Sequence, residues 1–341
     1  MSLTTLYNIL DLSDTEWYRT IPASRSHNYR HRKWRIVKQH PILRAVHTQS
    51  QLPLRNMAML SENQIDLYHK NGYIGVENVL SDNEITSLRE TTDLFVEKSR
   101  EVSEHTNIFD LEPGHTREHP KLRRLKSPIE HHEVYRNALH HPRILEIVSQ
   151  LIGYGLRSNG NKLNMKLPEF GSPVEWHQDW SFYPHTNDDI LAVGICIDDM
   201  TIENGALLVV PGSHKGKIYD HHYEGHFSGA ITDPTFDDKS ALPVELKAGG
   251  ISIHHVRTIH GSTPNRSANS RRLLLFQYCA MDAWPLGLFK DWDAFNNTIV
   301  RGEPTNTPRV REVPVRMPLP GSIRTGSIYE SQTIVKNPKL A

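Results

Sequence analysis

The feature that most constrains this fold is a change of sequence pattern after Gly153. From residue 154 to 282, short apolar or alternating runs are separated by turns rich in Gly, Pro, Asn and Asp. The runs cover Lys162–Lys166, Val174–Trp180, Leu191–Ile197, Ala206–Val210, Gly250–Val256 and Arg271–Ala280. Several short strands with turn signals predict a β-sandwich or barrel and argue against a sheet built from βαβ units.

Helical signals dominate the segment before Gly153. Residues 61–64 (Ser-Glu-Asn-Gln) and 81–84 (Ser-Asp-Asn-Glu) are capping boxes that precede apolar stripes, and Pro142 suits the first turn of another helix. Between them, residues 73–76 read as a short strand, whereas residues 105–127 are polar and irregular. We therefore predict one α+β domain over 59–341, with helical support at 61–153, a strand-rich core at 154–282 and an irregular tail at 283–341.

Residues 1–58 form a basic extension with a different composition. From Trp17 to Ser61 there is no Asp or Glu, but there are nine Arg or Lys residues. The extension is predicted to pack on the domain or on a partner subunit; a transit peptide and a nucleic-acid-binding arm are the alternatives. Three acidic residues ahead of this stretch, Asp11, Asp14 and Glu16, argue against a transit peptide.

Composition excludes several classes of protein. Cys196 and Cys279 are the only cysteines, too few for a disulfide framework or a cysteine-based metal site. Lys+Arg and Asp+Glu are balanced at 39 each, which argues against a general nucleic-acid binder. No apolar run reaches the roughly 18 residues of a membrane span, and no signal-peptide core appears near Met1. We expect a cytoplasmic protein without a membrane or nucleic-acid partner, and the sequence leaves a homo-oligomer open.

One strand-like run carries metal-ligand chemistry. In Val174–Trp180, His177 and Asp179 are two residues apart, so on a strand both would project from the same face. Two imidazoles and one carboxylate on a triangular face hold Fe(II) in non-haem oxygenases. The His-x-Asp tripeptide alone is weak, because this chain contains 21 His. A second histidine must complete the site.

The run from Gly249 to Ser262 offers that second histidine. His254 and His260 have the same parity along a continuous strand, and His260 is preferred because the Gly-Ser turn after it places it at a sheet edge. An antiparallel return would bring Arg271 or Arg272 near the level of His260. A guanidinium there suits a dicarboxylate that ligates metal at one end and pairs with Arg at the other.

Three ordered blocks resemble the phytanoyl-CoA dioxygenase family of Fe(II)/2-oxoglutarate-dependent oxygenases. They are Trp176–Asp179, Glu203–His214, and His260–Asn265 followed by Arg271 and Arg272. The resemblance covers roughly Leu60–Ala280 and implies a double-stranded β-helix of the jelly-roll, cupin-like kind. It implies Fe(II), O2 and 2-oxoglutarate as co-substrate, with ascorbate as an optional reductant.

The resemblance also assigns roles to residues. It implies His177, Asp179 and His260 as the catalytic metal triad, and Arg271 as the partner of the distal carboxylate of the co-substrate. Ser262, Asn164 and Lys126 match further co-substrate contacts of the family. Gly194 stands where several members place a Trp, which would enlarge the space for substrate.

The implied reaction is hydroxylation or another oxidation of a small organic substrate, such as a natural product or an acyl compound, with release of succinate and CO2. Trp180, Phe182 and Tyr183 follow the ligand strand and either line the substrate mouth or cover the barrel end. A jelly-roll binding protein and a metal-dependent hydrolase that keep the triad are the alternatives. Arg271 discriminates between these functions, since water activation needs no anchor for a distant carboxylate.

Overall fold

The computed structural model describes residues 60–168, 171–287, 291–324 and 326–340. The basic extension predicted at 1–58 lies outside the described residues, and the division of the chain near residue 59 stays a prediction. None of the helices in these ranges is both long and apolar enough to cross a membrane.

Most α-helices of the described chain lie before Gly153, and two short ones lie near its end. They are α1 (Glu62–Asn71), α2 (Asp82–Lys98), α3 (Pro128–His131), α4 (Glu133–Leu139), α5 (Pro142–Ile152), α6 (Trp292–Asn296) and α7 (Ile328–Gln332). Both predicted capping boxes form, because Ser61 and Ser81 each accept from the backbone of the residue three positions on. Gly72 ends α1 in the left-handed region, at φ 79°.

The strands form two larger antiparallel sheets and one small hairpin. They are β1 (Tyr73–Val76), β2 (Phe109–Leu111), β3 (Leu122–Lys126), β4 (Leu156–Lys166), β5 (Val174–His177), β6 (Ile190–Cys196), β7 (Leu207–Val209), β8 (His222–Tyr223), β9 (His226–Phe227), β10 (Leu242–Val244), β11 (Ile251–His255), β12 (His260–Ser262), β13 (Arg271–Ala280) and β14 (Ile299–Arg301). The major sheet has the order β1-β11-β6-β13-β4-β3-β2, with β14 also paired to β4. The minor sheet has the order β10-β7-β12-β5.

The main apolar core lies between the helices and the major sheet. Ile144, Ile147 and Val148 on α5 are fully buried and belong to one cluster with Leu274 and Phe276 of β13. Burial of such side chains stabilises the fold by about 2 kcal/mol each. The helices thus cover one face of the major sheet, and the other face of that sheet and the minor sheet supply the side chains that line the central cavity.

Three local expectations differ from the structure. The strand-like run Val174–Trp180 ends as a strand at His177, and Asp179 opens a turn of 3₁₀ helix instead. The run through His254 to His260 is not one strand, because β11 ends at His255 and β12 belongs to the other sheet. The region 105–127 is not wholly irregular, because it contains β2 and β3 of the major sheet. Charged side chains in these strands conceal the alternation of apolar and polar residues in the sequence.

Candidate active site

The two sheets bring His177, Asp179 and His260 together. His177 is the last residue of β5 and His260 the first of β12, and the two are direct neighbours in the antiparallel register. Asp179 follows two residues after His177, in a turn fixed by a hydrogen bond from the Trp180 amide to the Val256 carbonyl. The backbone therefore bends after His177, and the bend places the Asp179 carboxylate beside the His177 imidazole.

The donor atoms of these three residues lie within 4.8 Å of one another, and all three residues are buried. Oδ1 of Asp179 is 3.8 Å from Nε2 of His177 and 3.9 Å from Nε2 of His260. A metal ion with bonds of about 2.0–2.2 Å to nitrogen and oxygen fits between atoms at this spacing. The two imidazoles and one carboxylate supply three ligands and leave other positions open.

Backbone carbonyls orient both imidazoles. Nδ1 of His177 donates to the Glu175 carbonyl at 2.8 Å, and Nδ1 of His260 donates to the Thr258 carbonyl at 2.9 Å. Because a carbonyl can only accept, the proton of each neutral ring must be on Nδ1. The lone pair on Nε2 then points towards the other ligands, as in metal sites where a backbone contact fixes the tautomer.

The protonation states also suit metal binding. Burial lowers the pKa of His177 to about 4 and that of His260 well below its usual value. Burial alone would raise the pKa of Asp179, but the close approach of the His254 ring and the charge of Lys162 hold it well below its usual value. At neutral pH the three groups are therefore two neutral imidazoles and a carboxylate, ready to bind a cation without losing protons.

His254, the alternative ligand, lies beside this triad. Its Nε2 is 3.7 Å from Oδ2 of Asp179, and its ring centroid is 4.2 Å from that of His260. Neither ring nitrogen has a hydrogen-bond partner among the described residues, so no carbonyl fixes its tautomer as carbonyls fix those of the other two rings. The group with the compact donor spacing contains His260 and does not contain His254.

The inner chamber is the part of the cavity that contains the triad and the Arg271 guanidinium. It is lined by Lys162, Asn164, Val174, His177, Asp179, Ala192, Leu207, His254, His260, Gly261, Ser262, Arg271, Leu273, Leu275, Gln277, Ile328 and Tyr329. Arg271 is 3% exposed and donates from Nε and Nη2 to the Gly205 carbonyl, at 3.1 and 2.8 Å. Within the described chain it has no carboxylate partner. It is thus a fixed cation with room for an anion.

Ser262, Asn164 and Tyr329 accompany Arg271 in the inner chamber. Oδ1 of Asn164 and the hydroxyl of Tyr329 are buried without a hydrogen-bond partner among the described residues. Burial raises the pKa of Tyr329 to about 12, so its phenol stays neutral and can donate. Unsatisfied buried polar atoms cost about 1–3 kcal/mol each, a cost that a bound polar ligand would remove.

The outer chamber shares Lys162, Asp179, Gln277 and Ile328 with the inner one. It is lined by Arg124, Gly160, Asn161, Lys162, Asp179, Phe182, Tyr183, Phe227, Gln277, Gly326, Ser327, Ile328 and Ser331. Phe182 and Tyr183, both expected at the substrate mouth, line this chamber. The Phe182 ring packs edge-on against His177, with centroids 5.9 Å apart, so the chamber opens directly beside the triad.

Trp180, Lys126 and Gly194, three sequence candidates for roles at the cavity, line neither chamber in the described structure. Trp180 is 1% exposed, donates to the Pro314 carbonyl and packs in an apolar cluster, so it covers the barrel end and lines neither chamber. Nζ of Lys126 donates to the Thr106 carbonyl at 2.7 Å and lies on neither chamber wall. Gly194 does not enlarge the cavity, because a Cβ there would lie 2.7 Å from Oγ of Ser252 and 3.1 Å from Leu273.

Sequence reasoning missed Lys162, Arg124, Gln277 and Tyr329. Lys162 has the same strand parity as Asn164, so the alternation rule could have found it once β4 was known to begin before residue 162. Arg124 belongs to β3, a strand that polar composition concealed. Tyr329 comes from α7 in the tail, and no local pattern connects that helix with the metal ligands.

A second group of metal-ligand residue types, His105, Asp110 and Glu330, also has compact donor spacing. Nη2 of Arg123 already contacts it, at 2.9 Å from Asp110 and 2.7 Å from Glu330. The guanidinium supplies the positive charge that a metal would bring. This group is therefore an ion-pair network that fastens α7 to β2 and β3.

Comparisons with known proteins agree with this geometry. The phytanoyl-CoA dioxygenase family model matches residues 68–273. A protein of Stutzerimonas stutzeri, named a probable alpha-ketoglutarate-dependent hypophosphite dioxygenase, is 36% identical over 284 residues, which cover 80% of this chain and 97% of the relative.

Solved structures show the same fold. The non-heme alpha ketoglutarate dependent carbocyclase SnoK from nogalamycin biosynthesis matches with a TM-score of 0.55 and 25% identity, over 72% of this chain and 94% of that one. EctD from S. alaskensis with bound Fe matches with a TM-score of 0.57 and 20% identity, over 75% and 88%. The predicted α+β jelly-roll class is confirmed. The chain belongs to the phytanoyl-CoA dioxygenase family, and it is an Fe(II)- and 2-oxoglutarate-dependent dioxygenase that acts on a small molecule.

Proposed function

We propose that His177, Asp179 and His260 hold the Fe(II) of this dioxygenase, and that Arg271 binds the distal carboxylate of 2-oxoglutarate. The observation that supports this most is the pair of Nδ1-to-carbonyl hydrogen bonds, which aim both Nε2 atoms at the space beside Asp179. The buried guanidinium of Arg271, with no carboxylate among the described residues, supplies the second half of the site.

The bound Fe(II) supplies the redox chemistry that puts one atom of O2 into the substrate and the other into succinate, with loss of CO2 from the keto acid. The residues of the chain bind and orient the reactants. Arg271 and the hydroxyls of Ser262 and Tyr329 grip the far end of the keto-diacid, while Asn164 offers its amide beside the metal ligands. Burial of this chamber excludes bulk water from the reacting groups.

The substrate enters through the outer chamber. Phe182 and Tyr183 form its wall next to the triad, and α7 of the tail covers the opposite side through Ser327 and Ile328. We propose that the substrate is hydroxylated at a bond that points towards Asp179. Because the Stutzerimonas stutzeri relative bears hypophosphite in its name, that ion is the first compound to test.

We further propose that the protein works in the cytoplasm. Both cysteines are buried and free, which suits a reducing compartment.

The proposed site is tested by anaerobic addition of Fe(II) and 2-oxoglutarate to the apoprotein. A weak visible charge-transfer band is expected in the wild type and in His119→Ala, which removes an exposed imidazole outside the cavity. His177→Ala should lose the band and the release of succinate while keeping the circular dichroism of the wild type. A folded, iron-loaded wild type without the band would refute the proposed site.

A further inference from the structure

Two cationic side chains project side by side into the outer chamber, Lys162 from β4 and Arg124 from β3. The register of these strands pairs Arg124 with Asn164 and Lys126 with Lys162, so Arg124 and Lys162 are diagonal neighbours on one face of the sheet. Diagonal neighbours across antiparallel strands are within reach of long side chains. Both residues line the chamber that also contains Asp179.

Neither cation forms an ion pair with any of the described residues. Within the described ranges, no hydrogen bond or ion pair reaches Nζ of Lys162 or the guanidinium of Arg124, and Nε of Arg124 is buried without a partner. Burial lowers the pKa of Lys162, the charge of Asp179 opposes this effect, and the neighbouring Arg124 reinforces it. Asp179 is the one acidic residue among the described residues that line this chamber, and in the proposed site its carboxylate binds the metal, so two neighbouring cations are left to pair with an anion.

The co-substrate does not account for this pair of charges. Along β13 and β4, Arg271 is opposite Lys166 and Leu275 is opposite Lys162. Arg271 and Lys162 are therefore offset by four residues along the strands. At 3.3 Å per residue, this offset corresponds to roughly 13 Å. Arg124 lines the outer chamber and not the inner one. A keto-diacid held by Arg271 and the metal leaves these two cations for another ligand.

We propose that Lys162 and Arg124 bind the reacting substrate, and that this substrate is a small oxyanion. Its negatively charged oxygens, of a carboxylate or of a phosphorus oxyacid, pair with the two cations, and its oxidisable C–H or P–H bond faces the triad. The proposal rests on the proposed function. One oxygen atom of O2 enters that bond to give C–OH or P–OH, and the other enters succinate. The substrate and 2-oxoglutarate, which releases CO2, each supply two of the four electrons that O2 takes up.

The walls of the outer chamber favour a compact anion. The Phe182 and Phe227 rings meet edge to face with centroids 5.0 Å apart, and a Cβ on Gly229 would lie 2.8 Å from the Phe182 ring. Nε2 of Gln277 donates to the Tyr183 hydroxyl at 2.6 Å. Burial and the charge of Asp179 hold the pKa of Tyr183 well above its usual value, so no phenolate opposes an anion there.

The first experiment uses the full-length, iron-loaded enzyme with saturating 2-oxoglutarate and O2, and measures succinate release. The probes are hypophosphite and methylphosphonate as phosphorus oxyanions, propanoate as a carboxylate, and propionamide as its neutral analogue. At least one anion should stimulate succinate release roughly tenfold, as expected when charge-assisted bonds hold the substrate, and propionamide should not. Stimulation by hypophosphite or methylphosphonate alone identifies phosphorus chemistry, and stimulation by propanoate alone identifies a carboxylate.

The second experiment measures the same reaction in Lys162→Met and Arg124→Met. Each should raise the half-saturating concentration of the stimulating anion by roughly 10–100-fold, the loss expected for one charged hydrogen-bonding partner, with less than about a threefold change for 2-oxoglutarate. The matched control is Lys247→Met, since Nζ of Lys247 is exposed and pairs with Asp199 outside the cavity.

Two results would overturn the proposal. If the two variants raise the 2-oxoglutarate requirement as strongly as Arg271→Ala does, the cations serve the co-substrate. If the wild type forms the Fe(II)–2-oxoglutarate band but none of the three anions alters that band or succinate release, the oxyanion assignment fails and the proposed function stands. If a variant does not fold, the response of the wild type to the three anions still tests the proposal. Absence of the band itself refutes the proposed function instead.

Discussion

Strands β3 and β13 each carry two adjacent arginines, and in both strands the two guanidinium groups have opposite surroundings. Arg123 contacts Asp110 and Glu330 at 2.9 and 2.7 Å, whereas Arg124, the next residue, lines the outer chamber without an ion pair in the described structure.

The second pair repeats this contrast. Arg272 contacts Asp198 at 2.8 Å and Asp93 at 2.6 Å, whereas Arg271 lines the inner chamber and, among the described residues, donates hydrogen bonds to the Gly205 carbonyl. Because successive strand residues point to opposite faces, one arginine of each pair must face the cavity.

This contrast shows that carboxylate partners, and not the degree of burial, distinguish structural arginines from arginines that can bind a ligand. Arg123 and Arg271 are both nearly inaccessible, at 6% and 3% exposure. Carboxylates of the protein neutralise Arg123. Its charge therefore stabilises the folded structure and is not available to a ligand. No carboxylate in the described chain neutralises Arg271, so its charge is available to a ligand.

The largest expected effect concerns the pair on β13. Arg271→Ala should raise the half-saturating concentration of 2-oxoglutarate by roughly 100-fold, because a buried, bidentate, charge-assisted contact is lost. Arg272→Ala should change it by less than about threefold, since that side chain pairs with Asp198 and Asp93 outside the cavity. Initial rates of succinate release against 2-oxoglutarate concentration measure both. The reverse order would mean that Arg272 faces the cavity.

The second effect concerns the pair on β3. Arg123→Ala should lower the free energy of unfolding by about 3 kcal/mol, because it leaves the buried Asp110 carboxylate without its cation. Urea unfolding followed by circular dichroism measures this change. The double variant Arg123→Ala/Asp110→Asn removes the orphaned charge and should recover part of the loss. No recovery in the double variant would show that Arg123 acts through packing, including its contact over the Tyr329 ring.

A third prediction uses pH on the same network. Burial would raise the pKa of Asp110, but the charge of Arg123 and the hydrogen bond that its guanidinium donates hold the pKa below its usual value. The folded protein therefore binds this proton less readily than the unfolded chain, so the stabilisation is present above the unfolded pKa of about 4 and is lost as the pH falls below it. Asp110→Asn should destabilise the protein at pH 7 and much less at pH 3. A constant difference between wild type and variant across that range would contradict the ionic origin of the effect.

Sequence alone predicted the local parts of this picture. The capping boxes, β1 at Tyr73–Val76 and β13 at Arg271–Ala280 depend on short-range patterns, and the structure gives these two strands the predicted bounds. The family blocks led to His177 and Arg271 because those residues belong to motifs of fixed spacing. Their roles as ligands remain predictions, and the structure supports them by position.

The remaining features depend on contacts between distant segments. Arg123 faces carboxylates because Asp110 and Glu330 lie beside it, and Arg124 faces the cavity on the other side of β3. Glu330 is more than 200 residues away from both arginines in the sequence. The approach of His254 to Asp179 depends on two sheets facing each other, since His254 is on β11 of the major sheet and Asp179 follows β5 of the minor sheet. Trp180 follows the ligand motif closely, yet local spacing could not reveal that its indole turns into an apolar cluster.

The smallest expected effect is an increase in stability. Arg124→Met should raise the free energy of unfolding of the ligand-free protein by about 1 kcal/mol or less, because it removes a half-buried cation that no described carboxylate neutralises and keeps the alkyl part of the side chain. This is opposite in sign to Arg123→Ala, one residue away on the other face of β3. Urea unfolding of both variants, without added phosphate or carboxylate buffers, compares them directly. A loss in Arg124→Met as large as that in Arg123→Ala would mean that Arg124 has a structural partner, and the distinction between the two faces of β3 would fail.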